Sequence, residues 1–158
     1  RALPSGPSTL DMVANAAFLV GLTQTLSHQM SNLITLIPFN DVKTSFYRAA
    51  ELGLDAPVLW PDSKGTLQRL PAHQLLKTLI PMARTGLEEL AIDPDEITLM
   101  LSVIEQRLEK RVTGARWQLR QLHQLQKQME RHDALKAMLD LYLANYDSGN
   151  PVSEWSYQ

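Results

Sequence analysis

A chain of 158 residues with 44% hydrophobic content can bury one sizeable core, and its 15 basic against 17 acidic residues leave a formal charge of −2. That balance supplies no overall field for nucleic acid or an anionic membrane surface. The absence of cysteine removes disulfide frameworks, thiol nucleophiles and cysteine metal sites.

The first seven residues, RALPSGP, read as the exit from a strand or loop that begins upstream, so the chain is expected to be a segment of a longer protein. The longest apolar run, Ala16–Leu22, falls far short of the roughly 20 residues that a membrane span needs. A soluble, cytoplasmic protein is the expectation.

Ser8 can cap a helix, with Asp11 three residues on, near the positive end of its dipole. From Leu10 the apolar positions Val13, Ala14, Ala17, Phe18, Leu22, Leu26, Met30, Leu33, Ile34 and Ile37 recur at three and four residues until Pro38, which predicts one long helix. Between Met12 and Leu22 this helix is apolar nearly all round apart from Asn15. Other structure should therefore cover most of its faces, and Asn15 needs polar partners.

A second helix is expected from a cap at Asn40 or Asp41 to Gly53, a residue suited to the left-handed turn that closes helices. Ala56–Trp60 and Thr66–Leu70 flank the turn-forming Pro61–Gly65 and predict a hairpin within residues 56–70. Pro71 can open a third helix, with Leu75, Leu76, Leu79, Met82, Ala83, Leu87 and Leu90 on one side, kinked or divided by Pro81 near Thr78.

Asp93-Pro94-Asp95-Glu96 combines a cap, a first-turn proline and a glutamate three residues after the cap, and it starts a fourth helix with Ile97, Leu101, Ile104 and Leu108 inward. Thr113-Gly114 starts a fifth, with Leu119, Leu122, Leu125 or Gln126, and Met129 inward. Asp133 starts a sixth, with Leu135, Met138, Leu139, Tyr142 and Leu143 inward, until Gly149 and Pro151 stop it. The fold class that follows is mainly α: an antiparallel bundle of about six helices with one short hairpin, forming a single segment over residues 1–158.

The four histidines, His28, His73, His123 and His132, lack metal-ligand spacing, and neither a nucleophile elbow nor a glycine-rich phosphate loop occurs. The most suggestive group is Lys110–Arg116, where a helix N-terminus lies beside three cations, an arrangement that suits phosphate. Periodicity alone favours a polar interhelix turn whose arginines pair with Glu105 or Glu109. Arg48, beside Tyr47 on a short helix, is a second candidate cation, and Trp60, Trp117 and Trp155 are expected to pack as core or satellite contacts.

Several stretches taken in order carry a resemblance: RALPSGPSTLDMVANAAFLVGL at Arg1–Leu22, SFYRAAELGLDA at Ser45–Ala56, VIEQR at Val103–Arg107, TGARWQ at Thr113–Gln118 and GNPVSEW at Gly149–Trp155. Together they resemble the C-terminal part of the second glutamate-cysteine ligase family, the carboxylate-amine ligases. The resemblance implies an ATP-dependent ligase of glutamine-synthetase-like α+β fold, of which this chain is the helical C-terminal portion. It further implies ATP and magnesium as cofactors of the full-length protein, small amino acid substrates, and an upstream sheet region, carrying the metal-binding glutamates, as the chain's immediate partner.

By the same resemblance Arg1, Arg48 and Arg116 are candidate substrate- or phosphate-binding residues, with no metal ligand in this segment and no cofactor expected on the segment alone. The sequence departs from the family's pattern at Ser45, Tyr47 and Glu51, the last of which reverses a charge beside the implied pocket. The alternative is a non-catalytic helical interaction or regulatory module. In either case the greasy part of the first helix would favour self-association as a homo-oligomer if left uncovered.

Overall fold

A computed structural model describes residues 6–29 and 33–157. The fold is mainly helical with one two-stranded antiparallel sheet: α1 (Thr9–Gln29), α2 (Leu33–Leu36), α3 (Phe39–Leu52), β1 (Pro57–Pro61), β2 (Leu67–Pro71), α4 (Ala72–Glu89), α5 (Pro94–Glu109), α6 (Gly114–Leu125) and α7 (Arg131–Asp147). Its contacts form two compact units. One comprises the chain up to Ala16 together with Ser102 onward, and the other comprises Ala17–Leu101. No helix among the described residues is long and apolar enough to cross a membrane.

In the Ala17–Leu101 unit, α1 and α4 approach closely through glycine. A Cβ on Gly86 would collide with the Gly21 carbonyl oxygen and lie 2.8 Å from Thr25 Oγ1, and one on Gly21 would collide with the Ala83 carbonyl oxygen. That proximity lets Thr25 Oγ1 donate to the Met82 carbonyl at 2.7 Å. Leu75, Leu79, Ile80, Ala83 and Leu87 form the buried side of α4, whereas Leu90 is 42% exposed at its end. The helix runs undivided through Pro81. Pro81 and Lys77, whose carbonyl loses its helical donor to the proline, are both on the exposed side, where water can satisfy the orphaned oxygen.

The long helix expected up to Pro38 is described as α1 and the short α2; Met30 lies outside the described residues. α3 begins at Phe39 rather than behind a cap at Asn40 or Asp41, and it has no side-chain cap. The cause is Pro38, whose extended backbone presents its carbonyl to Asp41 N at 2.9 Å and Val42 N at 3.2 Å, so the first turn closes without a side chain. Gly53, at φ +58°, closes α3 as expected and opens a 3-10 turn, Gly53–Asp55.

The hairpin forms where its turn residues place it, pairing Pro57 with Pro71 and Pro61 with Leu67. Asp62 organises the turn: its Oδ1 accepts from Lys64 N at 2.8 Å and Thr66 N at 2.9 Å, and its Oδ2 accepts from Gln68 Nε2 at 2.9 Å. These donors hold its carboxyl below the usual carboxylate range, the Thr66 and Lys64 amides contributing most. Asp93 caps α5 by accepting from Asp95 N at 2.9 Å. The expected stripe of Ile97, Leu101, Ile104 and Leu108 is buried.

In the other unit the inward faces of α6 and α7 differ from the expected leucine stripes. Leu119 is 69% exposed, Met129, Leu135, Leu139 and Leu143 are each at least about a third exposed, and Trp117, Gln121 and Ala134 are buried in their place. Trp117 sets the rotation: with Val112, Val152 and Trp155 it forms a buried cluster against which Met138, Leu141 and Tyr142 pack. Turning Leu119 inward would turn that indole out, and the larger ring has more apolar surface to bury. α7 also starts at Arg131, two residues before Asp133, which falls within its first turn. Its end matches the expected stop, with Gly149 at φ +74° followed by Pro151.

Candidate functional site

Among the described residues of its unit, Asp11 is the most enclosed charged side chain. Ser8 and Asp11 are fully buried at the start of α1, where Ser8 Oγ donates to Asp11 Oδ2 at 2.9 Å and accepts from Asp11 N at 3.1 Å. The same Oδ2 accepts from the Val152 amide at 2.9 Å, which ties the C-terminal segment to α1. On the other side Arg107 Nε stands 3.5 Å from Asp11 Oδ1, and Arg107 Nη2 donates to Asn15 Oδ1 at 2.7 Å. Burial pulls the Arg107 guanidinium below its ordinary value while the Asp11 charge opposes that shift. Asn15 thus finds the partner that its apolar surroundings demand.

Beside this network lies an aromatic cluster. Trp155 meets Trp117 and Tyr142 edge to face, each with ring centroids 5.2 Å apart. Both indole N–H groups are satisfied, Trp117 Nε1 by the Ser156 carbonyl at 3.2 Å and Trp155 Nε1 by the Asn150 carbonyl at 2.9 Å. Burial, with smaller contributions from Asp11 and Tyr146, raises the Tyr142 phenol above its ordinary value. Trp117 and Trp155 are core residues, as expected of them.

Of the three arginines singled out from the sequence, Arg1 lies outside the described residues. Arg48 is exposed on α3, its Nη1 paired with Glu51 Oε2 at 3.2 Å. Glu51, one of the positions at which the sequence departs from the pattern it resembles, is therefore the residue that contacts this arginine. Arg116 sits in the first turn of α6, where its amide donates to the capping Thr113 Oγ1 at 3.2 Å and its Nη1 donates to the Arg111 carbonyl at 3.2 Å. Nearby, Lys110 Nζ donates to the Ser153 carbonyl at 2.9 Å. Arg48 belongs to one compact unit and Arg116 to the other.

The Asp11–Arg107 pair was not singled out as a site from the sequence. Asp11 reads there as an ordinary first-turn carboxylate, and Arg107 as one cation on a polar face. The available signal was Asn15, an amide stranded on a greasy helix one turn beyond Asp11. Magnesium takes a cluster of oxygen ligands, and among the described residues no group of three or more histidine, aspartate or glutamate side chains comes together to hold a metal. No family model matches the chain, and no curated protein or solved structure matches it either.

Proposed function

We propose that the chain is the helical C-terminal part of an ATP-dependent carboxylate-amine ligase of the glutamate-cysteine type, inactive by itself. The supporting observation is that four of the five stretches which carry the resemblance, though far apart in sequence, contribute to one compact unit, while Ser45–Ala56 lies in the other. A Cβ on Gly114 would lie 3.2 Å from Pro7, Asp11 binds the Val152 amide and pairs with Arg107, and Trp117 packs on Trp155. A sequence pattern kept for a shared fold is expected to coincide with such contacts.

In the reaction of such a ligase, a substrate γ-carboxylate attacks the terminal phosphorus of ATP, releasing ADP and forming an acyl phosphate. An amine then attacks the acyl carbon and expels phosphate, leaving an amide. The role proposed for Arg1, Arg48 and Arg116 is to neutralise charge on the phosphoryl group or the substrate carboxylates. The metal-binding carboxylates belong to upstream sequence, and the apolar residues that α1 exposes, Val13, Leu19 and Val20, are cover for that missing sheet. The cytoplasm, where ATP and amino acids are available, is the proposed compartment.

A second reading, a helical interaction module, draws on α3, in which no residue is buried and Phe39, Val42, Phe46 and Tyr47 are all exposed. Phosphate release separates the two. The 158-residue chain with ATP, magnesium, glutamate and a panel of amines should release no phosphate above background, and the protein extended by its upstream sequence should release it in an amine-stimulated way. Turnover by the short chain would overturn the claim of an incomplete site, and silence of the extended protein would favour the interaction module.

A further inference from the structure

From Lys110 to Met129 the sequence contains five lysine and arginine residues and one histidine but no aspartate or glutamate, in a chain whose formal charge is −2. Part of this positive stretch lines an open groove of about 500 Å³ along α6, formed by Leu119, Arg120, His123, Gln124, Lys127 and Tyr157. Arg120, His123 and Lys127 are exposed, and among the described residues none of the three has an ion-pair partner. Arg120 and His123, three residues apart, share one face of α6, and Lys127 joins them at the groove from the turn that follows the helix. Three nitrogen-bearing side chains spread along one groove suit a chain of phosphates better than a single one.

At the groove's edge Tyr157 is 38% exposed. One side of its ring is nearly parallel to Trp117, with centroids 6.4 Å apart and an interplanar angle of 23°. A ring braced on one side by a buried indole is held in place to receive a flat ligand on the other. We propose that this groove binds a nucleoside triphosphate, its phosphates along Arg120, His123 and Lys127 and its base against Tyr157. Charge complementarity selects an anion, and the aromatic wall selects one that carries a flat ring. The site is separate from Arg1, Arg48 and Arg116 and does not depend on the ligase reading.

The test is a titration of the nitrogen-15-labelled 158-residue chain with ATP, tripolyphosphate and adenosine, each without divalent cations, following the backbone amide resonances. ATP and tripolyphosphate should shift the amides of Leu119–Lys127 and Tyr157, whereas adenosine should bind at least ten-fold more weakly than ATP. The exposed substitutions Arg120→Gln and Lys127→Gln together should weaken both phosphate ligands at least ten-fold while the rest of the spectrum keeps its dispersion. Tyr157→Leu should weaken ATP several-fold and leave tripolyphosphate unaffected. Unmoved α6 amides, or equal ATP affinity with and without Arg120 and Lys127, would overturn the proposal. Tighter binding of a polyglutamate peptide than of ATP in the same groove would also overturn it, assigning the groove to acidic peptides instead.

Discussion

Asp11→Ala should destabilise the fold by about 3–5 kcal/mol, the range for breaking a buried ion pair by removing one partner. Three separate losses act together. Arg107 would keep its charge with its side chain only 14% exposed, the Val152 amide would lose its acceptor, and Ser8 Oγ would lose the oxygen to which it donates. Desolvation already pulls Arg107 below its ordinary value, with Asp11 as the opposing influence, so the uncompensated guanidinium is the largest of the three effects.

Urea denaturation of Asp11→Ala, Arg107→Met and the double variant measures this directly. The double variant should be less destabilised than the sum of the singles, because the charge left behind by the first substitution is removed by the second. An Asp11→Ala effect below about 1 kcal/mol would place the pair with weak solvated ion pairs.

Trp117→Ala should cost a comparable amount, about 3–5 kcal/mol. The indole is 1% exposed, meets both Trp155 and Tyr142 edge to face, and gives its N–H to the Ser156 carbonyl. Its removal opens a cavity among rigid rings that cannot easily collapse, and it leaves that carbonyl in need of water. Trp117→Phe keeps most of the apolar volume and should cost clearly less. Leu119→Ala, just over half a turn away and 69% exposed, should fall within about 0.5 kcal/mol of wild type. If Leu119→Ala proved more harmful than Trp117→Ala, the inward face assigned to α6 would be wrong.

These two residues also show where the sequence is legible. Local signals that act through the backbone are read correctly: the Ser8 and Asp93 caps, Thr113 before Gly114, the turn around Asp62 and Gly65, and the left-handed glycines at 53 and 149 all specify geometry within a few residues. The inward face of α5 is legible because Ile97, Leu101, Ile104 and Leu108 recur at three and four residues, a stripe that leaves Leu99 half exposed. On α6 and α7 leucines recur on more than one face, so periodicity alone does not fix the rotation, and Trp117 fixes it through contacts with Trp155, 38 residues later in the chain. Proline at position 38 likewise outranks the polar residues that follow it as the start of α3.

Long-range polar chemistry is the hardest part to read. Asp11 and Arg107 are unremarkable in their own neighbourhoods, and their pairing depends on how the chain returns from α5 to the start of α1. Arg48 stands out locally as a cation beside Tyr47 and Arg116 in a cation-rich helix start, but only the resemblance gives either a role toward a substrate. One is held by Glu51 and the other by the turn before α6, so their chemistry toward a substrate has to be measured.

The most direct measurement is amine-stimulated, magnesium-dependent phosphate release by the protein with its upstream sequence, comparing wild type with Arg48→Ala and Arg116→Ala. Loss of a cation that stabilises the transferred phosphoryl group corresponds to about 2–4 kcal/mol, or on the order of 30- to 1,000-fold in kcat/KM. A loss of that size in both variants, with their folding stability within about 1 kcal/mol of wild type, is the result the ligase account predicts. Unchanged kcat/KM in both would contradict it and return the two arginines to the solvated surface.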